Sequence, residues 1–328
     1  MRYKNILITG GAGFIGSALI RYGLKKLSYL EKIVNLDALT YAANLSNLSS
    51  IQNDPRYLFV QGDIRDEELV YNLCKENQIE AIIHCAAESH VDRSIEYPRV
   101  FLETNIYGTF SLLEVVRKLP HIHFHHISTD EVYGSLEKGF FNEDSLYRPS
   151  SPYSASKAAS DHLVKAWAHT FGLSITMSHC TNNYGPYQYS EKFIPRMILN
   201  CLDNKPLPVY GNGTNVRDWV YVYDHAEAIW TILGKGVPGE VYDIGGECEK
   251  RNIDLLHEII LHVAEQIGKP LSELSSLITF VSDRPGHDFR YAINCTKIKK
   301  ELGWSPAHSF SEGLRKTVSW YATVVEAL

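Results

Sequence analysis

Tyr153 and Lys157 stand four residues apart in Ser150-Ser151-Pro152-Tyr153-Ser154-Ala155-Ser156-Lys157. Ser151 suits a helix cap and Pro152 the first helical position, so the two side chains are predicted to share one helical face. An ammonium held there favours phenolate and lowers the phenol pKa. Such a phenolate can take a hydroxyl proton while a hydride leaves the same carbon. Taken alone, the pair reads as well as a solvated helix contact. A second group lies at Thr129-Asp130-Glu131. Thr129 can bond a substrate oxygen. Two adjacent carboxyl groups exceed what a simple hydride transfer needs, and they suit an elimination. One removes a carbon-bound hydrogen and the other protonates a leaving hydroxyl, which requires that their pKa values differ. An Asp-Glu pair is more often just an exposed loop pair, so its place in the fold decides.

That place follows from the elements around it. Apolar runs at Asn5–Thr9, Lys32–Leu36, Tyr57–Gln61, Ala81–Cys85 and His123–Ser128 read as strands, and Ile15–Leu27 between the first two reads as a helix. Strands alternating with helices predict a parallel sheet covered on both faces. The fold class is therefore α/β, a Rossmann-type doubly wound parallel sheet. Thr129, Asp130 and Glu131 then fall at the carboxyl edge of the fifth strand, where such sheets place ligands.

The first strand runs into Gly10, Gly13 and Gly16, a GxxGxxG turn that opens a helix. Glycine there lets backbone approach a pyrophosphate, whose charge a helix N-terminus favours. A plain tight turn is the competing reading. Asp37, ending the second strand, tips it toward a dinucleotide: an acid there bonds the adenosine ribose hydroxyls and repels a 2′-phosphate, favouring NAD over NADP. Asp63, after the third strand, suits the adenine edge or an ordinary surface.

The second half is less regular, with Gly and Pro clustering at Asn183–Pro186, Lys205–Gly213, Val237–Gly246 and Arg284–Gly286. We expect residues 1–178, with a return segment at about 219–246, to form an NAD-binding domain. Residues 179–328 then form a smaller, interleaved α/β substrate-binding domain. The 328 residues carry 32 Lys+Arg against 38 Asp+Glu, a net charge of −6, which argues against a nucleic-acid partner. Six scattered cysteines without CxxC suit neither a disulfide scaffold nor a zinc site. The start, Met1-Arg2-Tyr3-Lys4-Asn5-Ile6-Leu7-Ile8-Thr9-Gly10-Gly11, has too short an apolar run for a secretory leader, and no apolar stretch is long enough to span a membrane. A cytoplasmic protein is expected. Among 14 histidines, His121, His123, His125 and His126 cluster. Strand alternation sends His123 and His125 to one face and His126 to the other, so satisfied histidines are expected rather than a metal site.

With these motifs in place the whole chain resembles the dTDP-glucose 4,6-dehydratase family of extended short-chain dehydrogenases/reductases. The resemblance rests on Thr9–Gly16, Asn35-Leu36-Asp37 with Leu39-Thr40-Tyr41, Ala86–Ser94 (AAESHVDRS), His126–Gly134 and Tyr153–Lys157. Later carriers are Asn182–Gln188, Lys192–Pro195, Asn215–Trp219 and Asp283–Asp288. Thr181 and Asn294 depart from the Ser and Asp of the pattern, and the loop from Gly134 to Tyr153 is short. The resemblance implies conversion of dTDP-glucose to dTDP-4-keto-6-deoxyglucose: transient oxidation at C4 by NAD, loss of water across C5 and C6, and hydride return to C6. It implies Thr129, Asp130, Glu131, Tyr153 and Lys157 as catalytic. Cofactor contacts carry over to Gly10, Gly13, Phe14, Ile15, Gly16, Asp37, Thr40, Asp63, Ile64, Ala86, Ala87, Thr104, Tyr153, Lys157 and Asn183. Substrate contacts carry over to Ser89, Thr129, Asn182, Lys192, Pro208, Tyr210, Arg217, Asn252 and His287, with Lys192 and Arg217 as cations for the diphosphate. A dehydratase of UDP- or CDP-glucose is the nearest alternative; a sugar-nucleotide 4-epimerase is a further one, against which Asp130-Glu131 argues. Apolar faces in Thr104–Lys118 and Ser156–Thr170 suit either the helix bundle of the family's homodimer or burial within one chain.

Overall fold

Parallel pairing begins with β1 (Asn5–Thr9), which sits between β2 (Lys32–Asp37) and β4 (Ala81–His84), with Ile8 opposite both Asn35 and Ile83. β3 (Tyr57–Gln61) extends the sheet beyond β2, and β5 (His123–Thr129) and β6 (Ile175–Cys180) extend it beyond β4. A later strand, β10 (Val241–Ile244), closes the far edge against β6. The seven-stranded order is β3-β2-β1-β4-β5-β6-β10, parallel throughout. This computed structural model describes residues 3–283 and 286–326. Met1 and Arg2 of the amino terminus, and Arg284 and Pro285 of the Asp283–Asp288 motif, lie outside the described residues.

Alternate residues of each strand feed two cores. Ile6 and Ile8 pack with Leu19, Ile20 and Trp230 on one face. Leu7 packs with Val34, Leu36, Leu112 and Phe124 on the other. Both faces are covered, as the continuous apolar runs of parallel strands require. The crevice of such a sheet opens at the carboxyl ends where the strand order reverses, here between β1 and β4.

Boundaries shift slightly from the sequence reading. The first helix runs Phe14–Lys26, and β4 ends at His84. β5 gains Thr129, whose hydroxyl then caps a short 3-10 turn over Asp130–Tyr133 by accepting from Glu131 N. The helix expected from Thr104 starts earlier and differently: Leu102–Tyr107 form a π-helical turn before the α-helix Gly108–Lys118. The helix bearing Tyr153 spans Pro152–Phe171. Ser151 and Ser154 exchange side-chain-to-backbone hydrogen bonds of 3.1 and 3.0 Å at its start, with Pro152 in the first turn. Left-handed Gly172 ends it.

The second half builds two small sheets. β7 (Asn182–Tyr184) pairs in parallel with β9 (Val216–Tyr221), which pairs antiparallel with β11 (Glu249–Arg251). β8 (Leu207–Tyr210) pairs in parallel with β12 (Ile278–Val281). Around them Tyr184, Trp219, Leu255, Ile259 and Leu314 form a third core. Between β9 and β10 the chain returns to the large sheet, because the helix Val222–Lys235 packs on the first helix and Trp230 Nε1 donates to Leu19 O at 3.0 Å. Among the described residues no helix is long and apolar enough to cross a membrane.

Ser151→Ala removes the cap that starts the Tyr153 helix. It is expected to lower unfolding free energy by about 1 kcal/mol, read by urea denaturation as a lower midpoint at unchanged slope.

Candidate active site

A cleft of about 390 Å3 opens at the carboxyl ends of β1, β2, β4 and β5. Its floor is the glycine turn. Gly10 has φ +69°, and a Cβ there would lie 2.7 Å from Ala86 Cα. At Gly16 a Cβ would lie 2.3 Å from Gly10 O. Only glycine permits both approaches. The first turn of the helix Phe14–Lys26 has no side-chain cap, and Gly13, Phe14, Ile15 and Gly16 line the cleft. Backbone amides are therefore presented where a diphosphate would sit. Asp37, at the end of β2, accepts from Ala12 N at 2.9 Å and Leu39 N at 2.8 Å. Burial raises its carboxyl above the ordinary range, and those two amides oppose the rise. Thr40, Asp63 and Ile64 continue the same wall. Asp63 clamps Arg65 at 2.6 Å, which holds its carboxyl low. Ala86, Ala87, Thr104 and Asn183 face them. All fifteen residues expected to bind the cofactor thus border this one cleft, and their cradle fits a dinucleotide.

Tyr153 and Lys157 project into the cleft from one helical face, both buried. Lys157 Nζ donates to Ile127 O at 2.8 Å, which fixes the ammonium against β5. Burial lowers the Lys157 pKa. The sequence reading had the cation depressing the phenol; in the protein alone the balance runs the other way. Burial, then Glu131, Cys180 and Asp130, push Tyr153 well above its ordinary value, and only a hydrogen bond with Thr129 opposes them. Depressing it takes more positive charge than Lys157 supplies. Asp130 and Glu131 fall into different surroundings although adjacent. Asp130 is 2% exposed, and burial followed by the charges of Glu131 and Asp218 raises its carboxyl well above the ordinary range. Both effects favour the protonated form of Asp130 more than in an ordinary carboxyl, the kind of separation that acid–base division of labour uses.

The substrate residues divide. Ser89, Thr129, Asn182 and Lys192 border the cleft, and Lys192 Nζ donates to Ser89 O at 2.8 Å. Pro208, Tyr210, Arg217, Asn252 and His287 do not share that lining. Arg217 is buried in the small sheet, where its guanidinium donates to the carbonyls of Val216 at 2.7 Å, Asp288 at 2.9 Å and Phe289 at 3.2 Å. It still lies near enough to Asp130 to pull that carboxyl partly back down. Tyr210 meets His287 edge-on at 6.1 Å and reaches Asp92 at 3.5 Å, so this second ledge touches the short helix Val91–Glu96. Asn252 opens the helix Asn252–Ile267 and binds Asn215 O through its backbone at 3.0 Å.

The sequence reading missed Asn105. Buried in the π-helical turn, it accepts from Glu88 N at 2.8 Å and donates to Glu88 O at 3.0 Å and Ser156 Oγ at 2.9 Å. It ties the Ala86–Ser89 loop to the Tyr153 helix. Its signal in the sequence was slight, an amide beside Glu103 and Thr104 in a helical stretch. Glu191 was missed as well: it pairs with Arg93 at 3.2 Å, and that guanidinium stacks 3.8 Å over Tyr41, joining the short helix Val91–Glu96 to two turns at the cleft mouth. As alternation predicted, His123 and His125 share one face, both reaching Thr176 Oγ1 at 2.9 Å, while His126 turns toward Lys157.

A buried tyrosine–lysine pair above a dinucleotide cradle is the arrangement of the extended short-chain dehydrogenases/reductases, and the chain has the build of that class. The family model described as GDP-mannose 4,6 dehydratase matches residues 7–317. A dTDP-glucose 4,6-dehydratase of Haemophilus influenzae is 51% identical, covering 97% of this chain and 97% of that one. An Escherichia coli protein of the same description is 50% identical over 96% of this chain and 93% of its own. The crystal structure of a dTDP-glucose 4,6-dehydratase from Bacillus anthracis, in complex with NAD, matches with a TM-score of 0.90 at 48% identity, covering 98% of each chain. The chain belongs to the dTDP-glucose 4,6-dehydratase family.

A carboxyl whose folded-state pKa is raised binds its proton more tightly in the native than in the unfolded chain. Its burial then costs stability increasingly as pH rises from the ordinary carboxyl range toward the raised value. Asp130→Asn removes that cost. The variant's gain in unfolding free energy over the parent is expected to grow between about pH 4 and neutrality. A gain that stays flat across denaturant titrations at several pH values would refute the protonated state.

Proposed function

We propose that this protein is an NAD-dependent hydro-lyase converting dTDP-glucose to dTDP-4-keto-6-deoxyglucose and water. The observation that carries the reading is the buried Asp130 carboxyl, shared with Glu131 in one cleft beside Tyr153 and Lys157. A dehydrogenase or 4-epimerase has no use for the two extra carboxyl groups. The family membership supports the same substrate.

The chemistry NAD supplies when bound is reversible storage of the hydride taken from C4 and delivered to C6. The glycine turn holds its diphosphate, Asp37 its ribose, and Lys157 the nicotinamide ribose. Tyr153 accepts the proton of the 4-hydroxyl, with Thr129 bonding the same oxygen. The ketone so formed makes the C5 hydrogen acidic, and Glu131 removes it. Asp130 gives its proton to the C6 hydroxyl, the C6–O bond breaks and water leaves. Glu131 then returns a proton to C5. Tyr153 is left holding the 4-hydroxyl proton and Asp130 without its own, so one proton passing from Tyr153 to Asp130 through solvent restores the site, and the sum is loss of one water. Ser89, Asn182 and Lys192 lie where the sugar and its diphosphate would bind. We assign the base and the far end of the substrate to the ledge of Pro208, Tyr210, Asn252 and His287, with Arg217 between.

We read residues 1–178 with about 219–246 as the cofactor unit and the rest of 179–328 as the substrate unit. The six cysteines, all unpaired, support a cytoplasmic setting, and the net charge of −6 supports the absence of a nucleic-acid partner. A homodimer is supported by an aromatic row across two helices. Tyr107, Phe110, Trp167 and Phe171 follow one another at 5.7, 5.8 and 5.8 Å, with Tyr107 53% and Phe171 45% exposed.

Purified protein given dTDP-, UDP- and CDP-glucose labelled with deuterium at C4 is expected to consume the dTDP sugar. NMR of the product should show the label at C6 and, in heavy water, solvent deuterium at C5. A galactose-configured product without water loss would establish epimerisation instead, and preference for UDP- or CDP-glucose would reassign the substrate. Glu131→Gln should keep NAD and substrate binding and lose at least about a hundredfold in turnover. For the dimer, Phe171→Glu is expected to weaken association about tenfold or more by sedimentation velocity; an unchanged profile would remove this helix pair from the interface.

A further inference from the structure

Behind Tyr153 and Lys157, the same helix carries one more charged side chain inward. Asp161 follows Lys157 by four residues and has no exposure. Its Oδ1 lies 3.1 Å from His126 Nε2 of β5. Its Oδ2 meets His179 Nε2 of β6 at 3.1 Å and accepts from Ser128 Oγ at 2.8 Å. His126 Nε2 is in turn 3.5 Å from Lys157 Nζ. Beyond, His179 Nδ1 reaches Asp243 Oδ1 at 3.1 Å, and Tyr133 OH donates to the same oxygen at 3.0 Å. Lys157, His126, Asp161, His179 and Asp243 thus form one unbroken row, each at most 4% exposed. The reaction scheme uses only its first member.

A row this dry is expensive to charge unless its charges alternate in sign. Burial would neutralise His179, yet Asp161 and Asp243 raise it to about 9 and keep it cationic. Burial also pushes Asp161 up, but His126 and His179 outweigh it and hold the carboxyl ionised. Burial and the Lys157 charge drive His126 down to about 4, so it is neutral. Among the described residues Lys157 itself touches no carboxylate: its close contacts are a carbonyl and an uncharged imidazole. Burial pulls its proton off, and Asp161 is the foremost charge resisting. The other titratable groups facing Lys157 are His84, Cys85 and Cys180; those facing Asp161 are His126, His179 and Tyr147.

We propose that Asp161 is the buried counter-ion that keeps Lys157 an ammonium, acting across neutral His126, while His179 sets the strength of that hold from the other side. Asp161 is then a positioning residue for the Tyr153–Lys157 pair. The inference rests on the functional reading above only in giving that pair its proton-accepting task.

Two measurements separate the two claims. In turnover of dTDP-glucose, the acidic limb of kcat against pH reports ionisation of Tyr153. Asp161→Asn is expected to move that limb up by about one pH unit, a tenfold loss below it, with KM and bound NAD within about twofold of the parent. His179→Gln is expected to move it up as well, by less, because burial then pushes the Asp161 carboxyl toward its neutral form and weakens its hold on Lys157. A merely structural role predicts proportional losses at every pH in both variants, and that result, or limbs coinciding with the parent's, overturns the proposal. If Asp161→Asn does not fold, His179→Gln decides alone. The second measurement needs no turnover: 13C-lysine NMR, with Lys157 assigned by Lys157→Met, should show its ammonium titrating at lower pH in Asp161→Asn. An unshifted titration overturns the inference, whereas a parent enzyme inert toward dTDP-glucose overturns the functional reading alone.

Discussion

The end of β1 and the loop after β4 pass so close that a methyl group on Gly10 would overlap Ala86. The rest of the site depends on that approach. It lets the first helix begin directly above the sheet, with its amides aimed into the crevice. Thr9 Oγ1 holds Ala86 from the same strand end, accepting its N–H at 3.2 Å. The Ala86–Ser89 loop then has one place to go, and Asn105 pins it there against the Tyr153 helix. A bulkier turn would lift the helix and separate the dinucleotide wall from the tyrosine wall.

The chemistry depends on keeping water from one side of this cleft and admitting it on the other. Asp130 is buried, which raises its carboxyl; Asp63, farther along the cleft, is half-buried and tied to arginine, which lowers its own. Two carboxyl groups in one chain thereby differ in acidity through surroundings alone. Tyr153 sits in the dry part, where its phenol resists ionisation until more positive charge is brought against it.

The sequence made the large sheet legible because parallel strands are buried on both faces and write themselves as short apolar runs. Its catalytic groups were legible because each ends a strand or opens a capped helix. The substrate ledge was not legible from spacing. Arg217 reads as a free cation in the sequence, yet strand β9 turns its guanidinium onto three carbonyls. Nor was the row of Asp161, His179 and Asp243 visible, because it joins one helix and two strands that only the crossover connections bring together. The shared face of Tyr153 and Lys157 was legible; the burial that pushes the phenol upward, a property of the whole fold, was not.

The π-helical turn Leu102–Tyr107 holds one residue more than an α-helix of the same path would need. Within it Thr104 lines the cleft while Asn105 turns inward to Glu88 and Ser156. Removing any one residue there would relax the turn into regular α-helix and swing what precedes it by about 100° about the axis, carrying Thr104 off the nucleotide wall. Substitutions in this segment are graded in effect, whereas a single-codon deletion is not. The stretch therefore behaves as a reading frame written in three dimensions, where length, more than composition, is what inheritance has to preserve.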